Sequence, residues 1–300
     1  MNILDAIGNT PLFELPSFSD LNRNVKIYAK AEFLNPGGSV KDRAAKAMVL
    51  KGIQQGLLTK DKEILDATSG STGISYAMIG SALGYRVTLC LPANASVERK
   101  KIIRAYGAQI IETSPLEGVD GAYDEAQRLV REHPEKYFYP DQYDNNANWK
   151  THYLTTAKEI WNQTGHSITH FVCGAGTSGT FMGTVRRLKE LNPNIQGILV
   201  QPDSPFHGLE GVKHMASTMN PGIFDPKLPD GQTEVGTEEA YRMVKRLALE
   251  EGLFVGISAA ANVIAAAKVA KEVPDDSVIV TILGDGGSRY LSEPVWEELN

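Results

Sequence analysis

Three hundred residues, 42% of them hydrophobic and 22% charged, suffice for one large or two modest domains with properly buried cores. A formal net charge of -6 and a pI near 5.6 give no general attraction to phosphate backbones or anionic lipid, so nucleic acid and membrane are not expected partners and a small-molecule ligand is. Residues 1–11 carry no basic segment followed by an apolar run, and nowhere do about 18 apolar residues run together without charge, which predicts a cytoplasmic chain.

From Val25 onward, short β-branched runs alternate with longer stretches of helical period, the pattern of parallel sheets covered by helices. Strands are predicted over 25–30, 63–66, 86–91, 109–112, 136–139, 169–173, 196–200 and 277–283. Helices are predicted after Ser39 as far as Gly56, and over 72–83, 96–106, 118–131, 147–161, 178–191, 237–251 and 258–271. Such a succession fits a doubly wound α/β protein. The Asp- and Asn-rich stretch 141–148 reads as a domain boundary. Segment 203–236 is long, rich in Pro and Gly and weakly periodic, and reads as an active-site loop. Arg99, Lys100, Lys101 and Arg104 form a basic cluster on one helix, expected to be a solvated face. Cys90 and Cys173 lie in apolar strand-like runs, as buried free thiols do. His166 and His170 straddle a strand start and share no helix face, and no Cys/His pair has zinc spacing, so no metal site is expected.

The informative feature is a set of turns built from Gly, Ser and Thr: 35–39, 68–73, 174–180 and 284–288. In parallel sheets such turns fall at the carboxyl edge, where ligands of open α/β folds bind. Backbone N–H groups at helix starts favour anions, so two or three convergent turns suit two anionic groups, one phosphate and one carboxylate. Residues 174–179 also match G-x-G-x-x-G, which leaves a nicotinamide-dependent dehydrogenase as the competing reading. That fingerprint usually has an acidic residue at the end of the next strand; here the strand runs into Gln201-Pro202. The hydroxyls of Thr177, Ser178 and Thr180 suit a terminal phosphate better than a pyrophosphate. Lys41 weighs the same way. With Ser39 as N-cap it falls in the first helical turn, where the dipole disfavours a cation by roughly 0.3–1 kcal/mol. The same field and partial burial make a neutral, reactive amine.

The run Lys30-Ala31-Glu32-Phe33-Leu34-Asn35-Pro36-Gly37-Gly38-Ser39-Val40-Lys41-Asp42-Arg43 resembles the cofactor-lysine motif of cysteine synthases and the related cystathionine β-synthases, with the cysteine synthase B branch closest. Gly8-Asn9-Thr10-Pro11-Leu12, the 68–73 turn, Ser96-Val97-Glu98-Arg99, the 174–180 turn, Gly256-Ile257-Ser258 and Arg289-Tyr290-Leu291-Ser292 extend the resemblance over nearly the whole chain. The resemblance implies a fold-type II pyridoxal-phosphate enzyme, similar to the tryptophan synthase β chain, with two open, twisted, mostly parallel sheets flanked by helices. It also implies a smaller domain over 1–145, a larger one over 146–300 with which residues 12–34 pack, and a homodimer. Lys41 would carry pyridoxal 5'-phosphate as a Schiff base. Gly176, Thr177, Ser178, Gly179 and Thr180 would hold its phosphate and Ser258 its pyridine nitrogen, and Ser71 would lie at its phenolic oxygen. Thr68, Ser69, Gly70, Thr72 and Gln142 would clamp the substrate carboxylate. The implied reaction is β-replacement on O-acetylserine or O-phosphoserine by sulfide or thiosulfate, through an aminoacrylate, with condensation with homocysteine and a non-catalytic cofactor-binding protein as alternatives.

Two positions depart from the family pattern. Ser71 stands where Asn is usual, and Thr156-Ala157-Lys158-Glu159 replaces Thr-Gly-Pro-Glu. Lys213 stands where the B branch tends to carry a cation, and is expected to help bind an anionic leaving group or co-substrate.

Overall fold

The computed structural model describes residues 2–20 and 22–296. In chain order its main elements are β1 (Leu12–Glu14), β2 (Lys26–Ala31), α1 (Lys41–Gln54), β3 (Glu63–Ala67), α2 (Ser71–Leu83), β4 (Val87–Pro92), α3 (Val97–Ala105), β5 (Gln109–Thr113), α4 (Gly118–Glu132) and β6 (Tyr137–Phe138). There follow α5 (Asn146–Thr151), a π-helical turn (His152–Thr156), α6 (Ala157–Gln163), β7 (His170–Gly174), α7 (Gly179–Leu191), β8 (Gln196–Pro202), β9 (Gly231–Val235), α8 (Thr237–Glu251), α9 (Ile257–Ala270) and β10 (Val278–Leu283).

β3, β4 and β10 are buried at every position, as strands covered on both faces are, and the polar residues they carry, Glu63, Asp66, Thr88 and Thr281, are buried with the rest. Two sheets result. One has the order β1-β2-β10-β7-β8-β9, with only β1 antiparallel; the other is the parallel set β5-β4-β3-β6. Alternate residues of β10 feed the two layers of the larger sheet. Ile279 and Leu283 join the core with α8 and α9, and Val280 and Ile282 join the one with α6 and α7. β1 and β2 lie in this sheet as well, and β2 pairs with β10 along its whole length.

The expected strands and helices all form, with three corrections. Segment 203–236 is not wholly irregular, because its last residues form β9. As an edge strand β9 buries only one face, and Gln232 and Glu234 point outward, so its apolar period is weak. β1 was too short to show a period. The helix expected over 147–161 is interrupted at His152–Thr156, where the i→i+5 pattern of a π-turn replaces the α ladder. Among the described residues, no helix is long and apolar enough to cross a membrane.

A buried ionic network locks the start of α1. Arg43, two residues after Lys41, makes bidentate pairs with Glu32 (2.7 and 2.8 Å) and with Glu159 of α6 (2.7 Å each). Lys30 of β2 reaches Glu159 at 2.7 Å and the Thr10 carbonyl at 2.5 Å. Thr10 Oγ1 and Asn35 Nδ2 donate to the remaining lone pairs of Glu32, at 2.7 and 2.8 Å. Lys30 and Glu32 are fully buried. A network of two cations and two anions is tolerated at such depth only because every charge has hydrogen-bonded partners.

Removing one member strands the others. Arg43→Met leaves Glu32 buried without its guanidinium and should lower the unfolding free energy by about 3–5 kcal/mol, read from urea titration at neutral pH. Glu159 sets an acid limit. Burial alone would raise its carboxyl, but Arg43 and Lys30 hold it down to about 2, against 4.5 for a free glutamate. Its contribution is therefore complete above pH 4.5 and lost as the pH falls toward 2. In that window, wild-type stability should drop more steeply than that of Glu159→Gln.

Candidate active site

Three neighbouring strands of the larger sheet deliver their carboxyl-end segments side by side. β2 leads to Lys41, β10 to Gly284 and Asp285, and β7 to the 175–178 turn ahead of α7. In the smaller sheet, β3 leads into the 68–70 turn and α2, and β6 into Gln142. All of these segments line one cleft of about 340 Å³, with an inner extension between Lys41, the 174–180 turn, Ser258 and Asn262. The convergence expected of the polar turns is what parallel topology produces.

Lys41 is the first residue of α1, and Val40 rather than Ser39 precedes it in the N-cap position. Ser39 Oγ still accepts from the Lys41 N–H, at 3.3 Å. The Val40 N–H donates to the Gly284 carbonyl at 2.8 Å, and Ser39 bridges Asp285, which fixes the approach to Lys41 against the end of β10. The Lys41 side chain has no hydrogen-bond or ion-pair partner among the described residues. Burial lowers its pKa, opposed by Asp285 and Cys173 and assisted by Arg289. Cys173 is itself a buried free thiol, pushed up to about 12 by burial, and Cys90 is the same.

Facing Lys41 from β7, the turn ends in Ser178 with φ 69°, and α7 begins at Gly179. Its hydroxyls have hydrogen-bonding capacity to spare: Ser178 Oγ is buried with no partner among the described residues. Thr177 Oγ1 accepts from Asn148 Nδ2 at 2.9 Å and keeps its own proton free. Orphaned hydroxyls at the start of a 13-residue helix suit a phosphate group. Ser258, the second residue of α9, lines the cleft and its inner extension.

The turn after β3 is organised by Thr68, whose Oγ1 accepts from the N–H groups of Gly70 (2.9 Å) and Gly73 (3.3 Å). Gly70 has φ 138°, and a Cβ there would collide with Arg99 Cδ, so only glycine fits. Thr72 Oγ1 donates to Gln142 Oε1 at 2.8 Å, and Gln142 Nε2 donates to the Ala67 carbonyl at 2.7 Å. One amide N–H of Gln142 is then left for a ligand. Asn148 Nδ2 donates to the Gln142 carbonyl at 2.7 Å as well as to Thr177, joining the two turns.

Several cleft residues escaped the sequence reading. Arg99 is not part of a solvated face. It is buried beneath the 68–73 turn, donates to the Ser69 carbonyl at 3.2 Å, stacks on the Tyr290 ring at 4.6 Å and pairs with Glu210. Lys100 and Arg104 do lie toward solvent, paired with Glu112. Tyr290 and Ser71 both donate to Asp285 Oδ2, at 2.8 and 3.3 Å, and Arg289 donates to Ser71 Oγ at 2.8 Å. The Ser71 hydroxyl is thus already engaged on both sides. The signals were present in the Ser96–Arg99 and Arg289–Ser292 motifs, but their partners lie up to 218 residues away. Lys213 lines the mouth, its Nζ 4.6 Å from the Tyr143 ring centroid and 3.3 Å from the Met219 carbonyl. No cluster of His, Cys, Asp or Glu able to hold a metal is found among the described residues.

Residues 3–285 match the family described as pyridoxal-phosphate dependent enzyme. A cysteine synthase of Aquifex aeolicus is 51% identical over 99% of this chain and 92% of its own length, and a cysteine synthase B of Pseudomonas aeruginosa is 40% identical over 98% and 97%. The chain belongs to the cysteine synthase family of pyridoxal-phosphate-dependent enzymes. Among solved structures, an O-acetylserine-dependent cystathionine β-synthase from Helicobacter pylori is similar with a TM-score of 0.90 and 35% identity, covering 99% of this chain and 98% of that one. Pyridoxal phosphate is therefore the cofactor, and the nicotinamide reading of the 174–179 turn falls away. The orphaned Ser178 hydroxyl, the helix start behind it and the unpaired Lys41 amine fit that group. Borohydride reduction of the yellow holoprotein followed by peptide mapping should place the label on Lys41 and on no other lysine.

Proposed function

We propose that the protein replaces the β-substituent of an activated serine, O-acetylserine or O-phosphoserine, with a sulfur nucleophile, sulfide or thiosulfate, to give L-cysteine or S-sulfocysteine. The observation that carries this reading is the unpaired Lys41 amine, held in one cleft between a turn suited to a phosphate and a turn suited to a carboxylate. The names of the relatives support it. When bound, pyridoxal phosphate supplies the electron sink that loss of the α-proton and β-substituent requires.

The chain's own residues do the rest. Gly176, Thr177, Ser178, Gly179 and Thr180 would hold the phosphate through backbone N–H groups and hydroxyls, and Ser258 would meet the ring nitrogen with a neutral hydroxyl. Such a partner limits charge on the ring and favours elimination over a long-lived carbanion. Lys41 would carry the cofactor, and its amine would take the substrate's α-proton and later return one. Its burial lowers the pKa of the amine and so favours the neutral, basic form. Thr68, Ser69, Gly70 and Thr72 would bind the substrate carboxylate, with the free amide N–H of Gln142, and so orient the Cα–H bond toward Lys41. Ser71 would approach the phenolic oxygen only in competition with its bond to Asp285.

Lys213 at the mouth, a cation whose pKa is lowered by burial and raised in part by Asp120, would receive the anionic leaving group or co-substrate. Condensation with homocysteine is the second reading, favoured by the likeness to the Helicobacter pylori structure. The test is a matrix of acetylserine, phosphoserine and serine against sulfide, thiosulfate and homocysteine, with products identified by mass. Cysteine or sulfocysteine from an activated serine is the expected outcome, and cystathionine as the dominant product would replace it. Lys213→Ala should raise KM for phosphoserine and thiosulfate about tenfold while leaving acetylserine with sulfide within about twofold, as expected for loss of one charge-assisted contact. Unchanged kinetics with every pair would remove Lys213 from the site.

A further inference from the structure

The π-turn at His152–Thr156 has no part in the site as described so far, yet it lies directly behind the phosphate-type turn. α7 and the π-turn approach so closely that a Cβ on Gly183 would strike the Trp149 carbonyl and His152 Cβ. His152 is 1% exposed and Thr156 fully buried. His152 Nδ1 lies 2.9 Å from Thr156 Oγ1, and its Nε2 lies 3.4 Å from Thr180 Oγ1. Thr180 is the second residue of α7, and it lines the inner extension of the cleft beside Lys41 and Ser258. The imidazole thus stands between two hydroxyls, one sealed in the core and one at the cavity.

The direction of this chain follows from counting protons. Among the described residues Thr156 Oγ1 has one hydrogen-bond partner, His152 Nδ1, and a buried O–H without an acceptor is destabilising. Thr156 therefore donates to Nδ1, which must be unprotonated. A neutral imidazole then carries its proton on Nε2 and donates it to Thr180 Oγ1. With that lone pair occupied, the Thr180 hydroxyl turns its own proton toward the cavity. In the opposite tautomer Thr156 would be orphaned and Thr180 would spend its proton on the imidazole. Burial first, then the charges of Arg43 and Lys41, hold His152 down to about 3 against the opposing Glu32 and Glu159, so the ring stays neutral at any working pH.

We propose that His152 is a positioning residue for the cofactor phosphate, acting through Thr180: Thr156 fixes the tautomer, His152 holds the Thr180 oxygen, and Thr180 presents its proton to a phosphate oxygen. The proposal rests on the assignment of the 176–180 turn to the cofactor phosphate. It also gives a task to Thr156, which opens the Thr156–Glu159 segment.

The experiment measures pyridoxal-phosphate dissociation constants by reconstitution and the phosphorus-31 shift of the bound cofactor. The proteins are wild type, His152→Phe, His152→Gln, Thr156→Val and the double variant His152→Gln/Thr156→Val. His152→Phe keeps the ring volume and loses both bonds; it should weaken cofactor binding roughly tenfold, the scale of one hydrogen bond to a charged group, and move the phosphorus signal. His152→Gln, whose amide reaches Thr180 as a donor without needing a tautomer, should restore affinity to within about twofold of wild type. Thr156→Val should weaken binding in the His152 background and have no effect in the Gln background. A purely structural role for the π-turn predicts equal losses from Thr156→Val in both backgrounds, and that result would overturn the proposal. So would wild-type affinity and an unmoved phosphorus signal in His152→Phe. Thermal unfolding of each variant separates misfolding from these outcomes. Failure of the wild-type protein to bind the cofactor at all would instead strike the assignment of the turn itself.

Discussion

The site depends on the ion network of Glu32, Arg43, Glu159 and Lys30. Among the described residues nothing pairs with the Lys41 side chain, so its backbone has to be positioned from elsewhere. Arg43 does this from inside α1, gripping the segment after β2 through Glu32 and α6 through Glu159. The bond from Val40 to Gly284 completes the constraint from the other side. A buried network of this kind adds little net stability compared with well-packed apolar residues, but it admits one arrangement of its partners. The gain lies in geometry.

The same economy runs through the rest of the cleft. Several groups that line the cleft have their other valences used up by the protein. Thr177 receives a proton from Asn148, Gln142 spends one amide hydrogen on Ala67 and its oxygen on Thr72, and Thr68 collects the N–H groups that shape its turn. Gln142 and Thr177, each with a proton left over, line the cavity. Preorganised donors of this kind need no rearrangement when charge develops, which is where electrostatic catalysis is gained.

The strands, the helices and the convergent turns were legible in the sequence because they depend on local matters: period, glycine, and hydroxyl-bearing residues at helix starts. What stayed hidden depends on partners far away in the chain. Arg99 carried the charge of its helix neighbours and could not be told from them until Tyr290 and Glu210 were seen beside it. Asn148 looked like one more linker residue, though it ties Thr177 to Gln142, which in turn receives Thr72. The π-turn leaves no trace in apolar spacing, since it differs from an α-helix in hydrogen-bond pattern and not in composition. β9 was lost for a related reason: an edge strand with one wet face has too little apolar alternation to stand out from a loop.

The pairing of β2 with β10 has a consequence for biogenesis. Lys41 follows the second strand of the chain, but that strand's partner is made of residues 278–283, and the carbonyl that receives Val40 belongs to residue 284. A ribosome releases Lys41 long before the strand that seats it. The smaller sheet can close on its own residues while synthesis continues, whereas the nascent chain must leave β2 without its long-range neighbour for most of that time. The cleft around Lys41 therefore waits for β10, and a truncation that removed β10 would unseat Lys41 while leaving every residue of the lysine motif in place.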